Sequence, residues 1–140
     1  MTTRETTLLL DGDVLAFTVA SAVQKVEDDG FGYLRPFASV VEGQAALDNM
    51  VLRLTAELEA THIKIILSDP EGNWRSELYA DYKANRTDKA RPLLLGRLKE
   101  YLRAAYGAFH WPGLEADDVL GILATGPQDY PGGTIVVGQD

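Results

Sequence analysis

Three short runs of unbroken aliphatic residues recur along the 140-residue chain, in "TTLLLD", "HIKIILSD" and "GGTIVVGQD", and each reaches an aspartate within a few positions of its last apolar residue. Runs of this length without polar alternation predict strands buried on both faces, the pattern of a parallel sheet. Helical periods lie between them. After Asp11, "DVLAFTVASAVQKV" places Leu15, Val19, Ala22 and Val26 on one helix face, and "GQAALDNMVLRLTAELEA" repeats Leu47, Val51, Leu54 and Leu58 at helical spacing. "PLLLGRLKEYLRAAYG" predicts a helix from Pro92, near its first turn, to about Gly107; "AFHWP" predicts a short strand. "GLEADDVLGILATG" predicts a helix with acids in its first turn and a stop at Gly126-Pro127, and the glycines and proline of "DDGFGYLRPF" predict an irregular loop. The expected class is α/β: a doubly wound, mainly parallel sheet with helices on both faces, forming one domain over residues 1–140.

Composition narrows the chemistry. With 46% apolar and 24% charged residues the chain can bury a real core, and with no cysteine it has neither disulfides nor thiolate metal sites. No segment approaches the run of about 20 apolar residues that a membrane helix needs, and the expectation is a soluble, cytoplasmic protein. The net charge of −8 argues against a nucleic-acid partner until its distribution is read. Eight of the thirteen Lys and Arg residues fall between Arg75 and Arg103, whereas residues 104–140 contain none and carry five carboxylates.

In open α/β sheets, ligands bind beyond the carboxyl ends of the strands. Asp11, Asp69 and Asp140 each close a predicted strand, which would bring them to one sheet edge. The helix carrying Glu115, Asp117 and Asp118 would begin near that edge, with Glu115 and Asp118 on one face and Asp117 about 100° from Asp118. One aspartate at a strand end commonly caps a loop, and an acidic first turn commonly answers the helix dipole. Five or six carboxylates converging at one edge need a counter-charge. All-oxygen ligands select Mg2+ or Mn2+, and two such ions roughly 4 Å apart would serve phosphodiester hydrolysis. His62 and His110 are isolated and fit ordinary structural roles. The segment "SELYADYKANRTDKAR" sets Lys83, Arg86, Lys89 and Arg91 beside Tyr79 and Tyr82, offering cations for phosphates and aromatic faces for unstacked bases.

"LLLDGD", "SDPEGNWRSELYADYKANR", "GLEADDVLG" and "IVVGQD" resemble, in order and spacing, the 5′→3′ exonuclease and flap endonuclease family, which includes the 5′-nuclease domain of bacterial DNA polymerase I. Bacteriophage members look most similar. The resemblance implies a PIN-like, resolvase-like fold and metal-assisted hydrolysis of DNA at 5′ ends, in duplexes or flaps, in the setting of DNA replication. It implies that Asp11, Asp69, Glu115, Asp117, Asp118 and Asp140 hold two Mg2+ or Mn2+ ions, directly or through water. It implies that Lys83 and Arg86 stabilise charge on the scissile phosphate, that Tyr82 stacks on a terminal nucleotide, and that Arg75, Lys89 and Arg91 support the DNA. Asp13, where polymerase-linked relatives carry a small hydroxyl residue, stands as an outer-shell group. The family pattern continues past Asp140 with another aspartate and a helical hairpin region, so a C-terminal half or second polypeptide is expected to complete the nuclease. Two other readings are weighed beside it: a non-catalytic fragment that binds DNA or a partner, and a haloacid-dehalogenase-like phosphotransferase with Asp11 as nucleophile.

Overall fold

The computed structural model describes residues 6–70, 91–125 and 133–137, the last as backbone only. Three strands form one parallel sheet: β1 (Thr6–Asp11) lies at the centre, β4 (His62–Ile66) on one side and β5 (Gly133–Val137) on the other. Leu8 stands opposite Ile63 in β4 and Ile135 in β5. Phe109 extends the β4 edge by one parallel bridge to Ile66, with Phe109 N–H donating to Ile65 O at 3.1 Å and Leu67 N–H to Phe109 O at 2.8 Å. That bridge is the short strand expected in "AFHWP".

Helices cover both faces, and the two-residue period of the strands explains why Leu8, Leu9 and Leu10 can be consecutive and all wholly buried. Leu8, Leu10, Ile65 and Leu67 face α1 (Gly12–Val23), α2 (Val40–Glu57) and α3 (Leu95–Tyr106), meeting Leu15, Val19, Leu47, Leu98 and Leu102. Leu9 and Ile66 face the other way, against Ala116, Val119 and Leu120 of α4 (Ala116–Thr125). The α/β class follows. α3 ends at Gly107, whose left-handed φ of 67° suits glycine.

Two boundaries differ from the sequence reading. α1 stops at Val23, three residues before Val26, and an antiparallel hairpin of β2 (Lys25–Asp28) and β3 (Leu34–Phe37) runs from the end of the expected helix through the expected loop. Val26 is exposed there. Local cues explain the turn: Asp28 Oδ1 accepts from Gly30 N–H, Asp29 Oδ1 accepts from Phe31 N–H, and Gly30 and Gly32 adopt left-handed φ values of 86° and 87°.

α2 and α3 are clamped by a carboxylate shared between two phenols. Tyr101 Oη–H is 2.9 Å from Asp48 Oδ2, Tyr106 Oη–H donates to Asp48 Oδ1, and the two rings meet edge to face at 6.2 Å. The hydrogen bond to Asp48 raises the pKa of Tyr101; burial and then the same carboxylate raise that of Tyr106. Both phenols therefore hold their protons more tightly folded than unfolded, so their contribution is intact below pH 10 and is lost as pH climbs through the folded values. Asp48→Ala should destabilise the chain by about 2 kcal/mol at neutral pH. It should also advance the last steps of the alkaline tyrosine absorbance titration. An unchanged titration would contradict the clamp.

Candidate functional site

The carboxyl end of β1 is where the chain turns directly into α1, and "DGD" makes that turn. Asp11, 5% exposed, caps α1: its Oδ1 accepts from Asp13 N–H at 3.0 Å and Val14 N–H at 3.2 Å. Gly12 lies flat against β4. A Cβ placed there would fall 2.7 Å from Leu67 Cδ2, 2.9 Å from Ile65 Cγ2 and 3.0 Å from Ile66 O. Asp13 reaches past the glycine to the loop after β4, where Oδ2 accepts from Ser68 N–H at 3.1 Å and Oδ1 lies 3.4 Å from Lys99 Nζ of α3.

A second strand-end loop is stapled from the other side. Asp69 Oδ2 accepts from Gly113 N–H at 2.7 Å, and Asp69 N–H donates to Leu114 O at 3.1 Å. Ser68 Oγ accepts from Ala116 N–H at 2.9 Å, at the first residue of α4. Glu115 precedes the helix instead of opening it, and its carbonyl accepts from Asp118 N–H and Val119 N–H.

These contacts bring Asp117 to Asp11. The Asp11 pKa is pushed up to about 6, first by burial, then by the charge of Asp13 and by hydrogen bonding and charge from Asp117, against the lowering effect of Val14 N–H. Asp117, exposed, thus lies near the buried Asp11 and disfavours its charged form. The donors are hard oxygens, and a divalent cation between them would relieve both repulsion and the cost of burial. This pair fits such an ion. Among the described residues, no three His, Asp or Glu side chains form a group that could hold a metal. His62 opens β4 at its amino end, the end of the strand remote from Ser68.

The remaining expected site residues divide simply. Arg91 is exposed. Arg75, Tyr79, Tyr82, Lys83, Arg86, Lys89 and Asp140 lie outside the described residues. Sequence reading missed Ser68 and Lys99. Ser68 touches residues 55 and 48 positions away, at Asp13 and Ala116, so no local pattern announces it. No described helix is long and apolar enough to cross a membrane.

Known proteins are similar to this chain in sequence. The chain is 27% identical over 121 residues to flap endonuclease Xni of Shewanella sp. (strain ANA-3), covering 80% of this chain and 46% of that protein. It is 29% identical over the same length to flap endonuclease Xni of Shewanella sp. (strain W3-18-1), with the same coverage. The chain thus spans just under half the length of these relatives. Residues 6–140 match the family described as 5'-3' exonuclease, N-terminal resolvase-like domain, and the chain belongs to that family.

Proposed function

We propose that this chain is the catalytic portion of a metal-dependent 5′→3′ exonuclease or flap endonuclease that hydrolyses DNA phosphodiesters, with Asp11 and Asp117 at the centre of its cation site. The observation that carries the reading is the juxtaposition of these two carboxylates at the carboxyl end of the central strand. Asp69, Glu115, Asp118 and Asp140 would complete a two-ion ligand set, some of them through water. Bound Mg2+ or Mn2+ would supply Lewis acidity and an activated water.

The chain's own residues do the rest. Asp11, fixed by two backbone N–H groups, would hold its carboxylate where the phosphate arrives. Lys83 and Arg86 would stabilise charge on the scissile phosphate, and Tyr82 would stack on a terminal base. Arg75, Lys89 and Arg91 would grip the backbone. The partner is DNA with a 5′ end, in a duplex or a flap, and a C-terminal half or second polypeptide would complete the grip.

The test is cleavage of a 5′-labelled flap duplex by the chain fused to the C-terminal half of a Shewanella relative. Hydrolysis that needs Mg2+ and stops with EDTA is the expected result. Salt-sensitive DNA binding without cleavage would replace this reading with a non-catalytic one.

A further inference from the structure

We infer that Ser68 is a positioning residue that sets the separation between Asp11 and Asp117, and with it the affinity of that pair for a divalent cation. This rests on the cation site proposed above. Ser68 uses both of its polar ends. Its backbone N–H donates to Asp13 Oδ2 at 3.1 Å and its hydroxyl oxygen accepts from Ala116 N–H at 2.9 Å. Asp13 is two residues from Asp11, and Ala116 is the neighbour of Asp117. The contacts therefore close a ring running Asp11, Asp13, Ser68, Ala116, Asp117 and back to Asp11.

The ring matters because its last link is repulsive when both acids are charged. Without a tie, α4 could relieve that repulsion by drawing its first turn away from β1. Ala116 is 2% exposed, and its N–H belongs to the first turn of a helix, where no intrahelical acceptor exists. The Ser68 hydroxyl supplies that acceptor from another element. Lys99, 3.4 Å from Asp13 Oδ1, balances the charge of the Asp13 link. Ser68 thus ties the turn that carries Asp11 to the first turn of α4 that carries Asp117, without touching the ion.

Mn2+ binding to the whole chain, measured by isothermal titration at 15 °C, tests this. Ser68→Ala should weaken Mn2+ binding by roughly 10-fold, the size of effect seen when residues supporting metal ligands are removed. Ser68→Thr, which keeps the hydroxyl, should restore most of the loss. Ser68→Cys, with a weaker acceptor of similar size, should fall between them and serves if the alanine variant does not fold. Val51→Ala, a core truncation on α2, should lower stability and leave Mn2+ affinity unchanged. Wild-type affinity in Ser68→Ala, or equal weakening in Val51→Ala, would overturn the positioning role alone. A wild-type chain that binds no Mn2+ would overturn the cation site itself, and this role with it.

Discussion

Gly12→Ala should cost the fold about 3 kcal/mol, although alanine is the better helix former. Propensity alone favours alanine by about 1 kcal/mol inside a helix, and less at a first position. Sterics oppose it more strongly. The new methyl would meet Leu67 Cδ2 at 2.7 Å, Ile65 Cγ2 at 2.9 Å and the Ile66 carbonyl oxygen at 3.0 Å. Two of these belong to fully buried or nearly buried side chains and the third is backbone of β4, so none can move freely. Gly121→Ala is the matched control: it lies within α4 with nothing near the added methyl, and should stabilise by about 0.5–1 kcal/mol. Denaturant midpoints of the two variants check both signs. If Gly12→Ala matched Gly121→Ala, the close approach of α1 to β4 would be wrong.

Asp11→Asn should have two opposite effects, according to whether a cation is present. In the ion-free chain the Asp11 pKa rises from 3.8 to about 6, so the folded state binds its proton more tightly than the unfolded state. Stability is therefore greatest below pH 3.8 as far as this group is concerned, falls as pH rises through about 6, and stays reduced above that. The loss is on the order of 3 kcal/mol. Asparagine removes the charge yet still caps α1, since its carbonyl oxygen can accept from Asp13 N–H and Val14 N–H. The variant should be more stable than wild type at pH 8 without metal, and the difference should vanish near pH 4. With millimolar Mg2+ the order should reverse, because the wild-type chain gains binding free energy that the variant lacks. Urea unfolding at pH 4 and 8, with and without Mg2+, reads all four conditions; a variant less stable in every one would contradict the buried pair.

What the sequence revealed depended on the range of the interactions involved. The continuous leucines at positions 8–10 announced a strand buried on both faces, because burial of a central strand leaves no position for a polar residue. The carboxyl-edge rule then placed Asp11 and the first turn of α4 on the same side. Val26 misled because its spacing continued the helical period while the hairpin turn behind it, set by Asp28, Asp29 and two glycines, governed the backbone. Glu115 misled by one residue, the scale on which helix starts are commonly misjudged. Ser68 and Lys99 could not be found from their surroundings, since Asp13 lies 55 residues before one and on a different helix from the other. The ordered motifs from "LLLDGD" to "IVVGQD" indicated the family, and the match over residues 6–140 bears that out.

The proposed divalent-cation site at Asp11 and Asp117 makes metal uptake depend on both carboxylates. Its most direct test is Mn2+ titration at pH 7 of the wild-type chain, Asp11→Asn and Asp117→Asn, followed by the loss of the free-ion electron paramagnetic resonance signal. Saturable Mn2+ uptake by the wild type, lost from both variants while each keeps its native circular dichroism, is the predicted result. Equal uptake by all three proteins would place the ion elsewhere and contradict a site at Asp11 and Asp117.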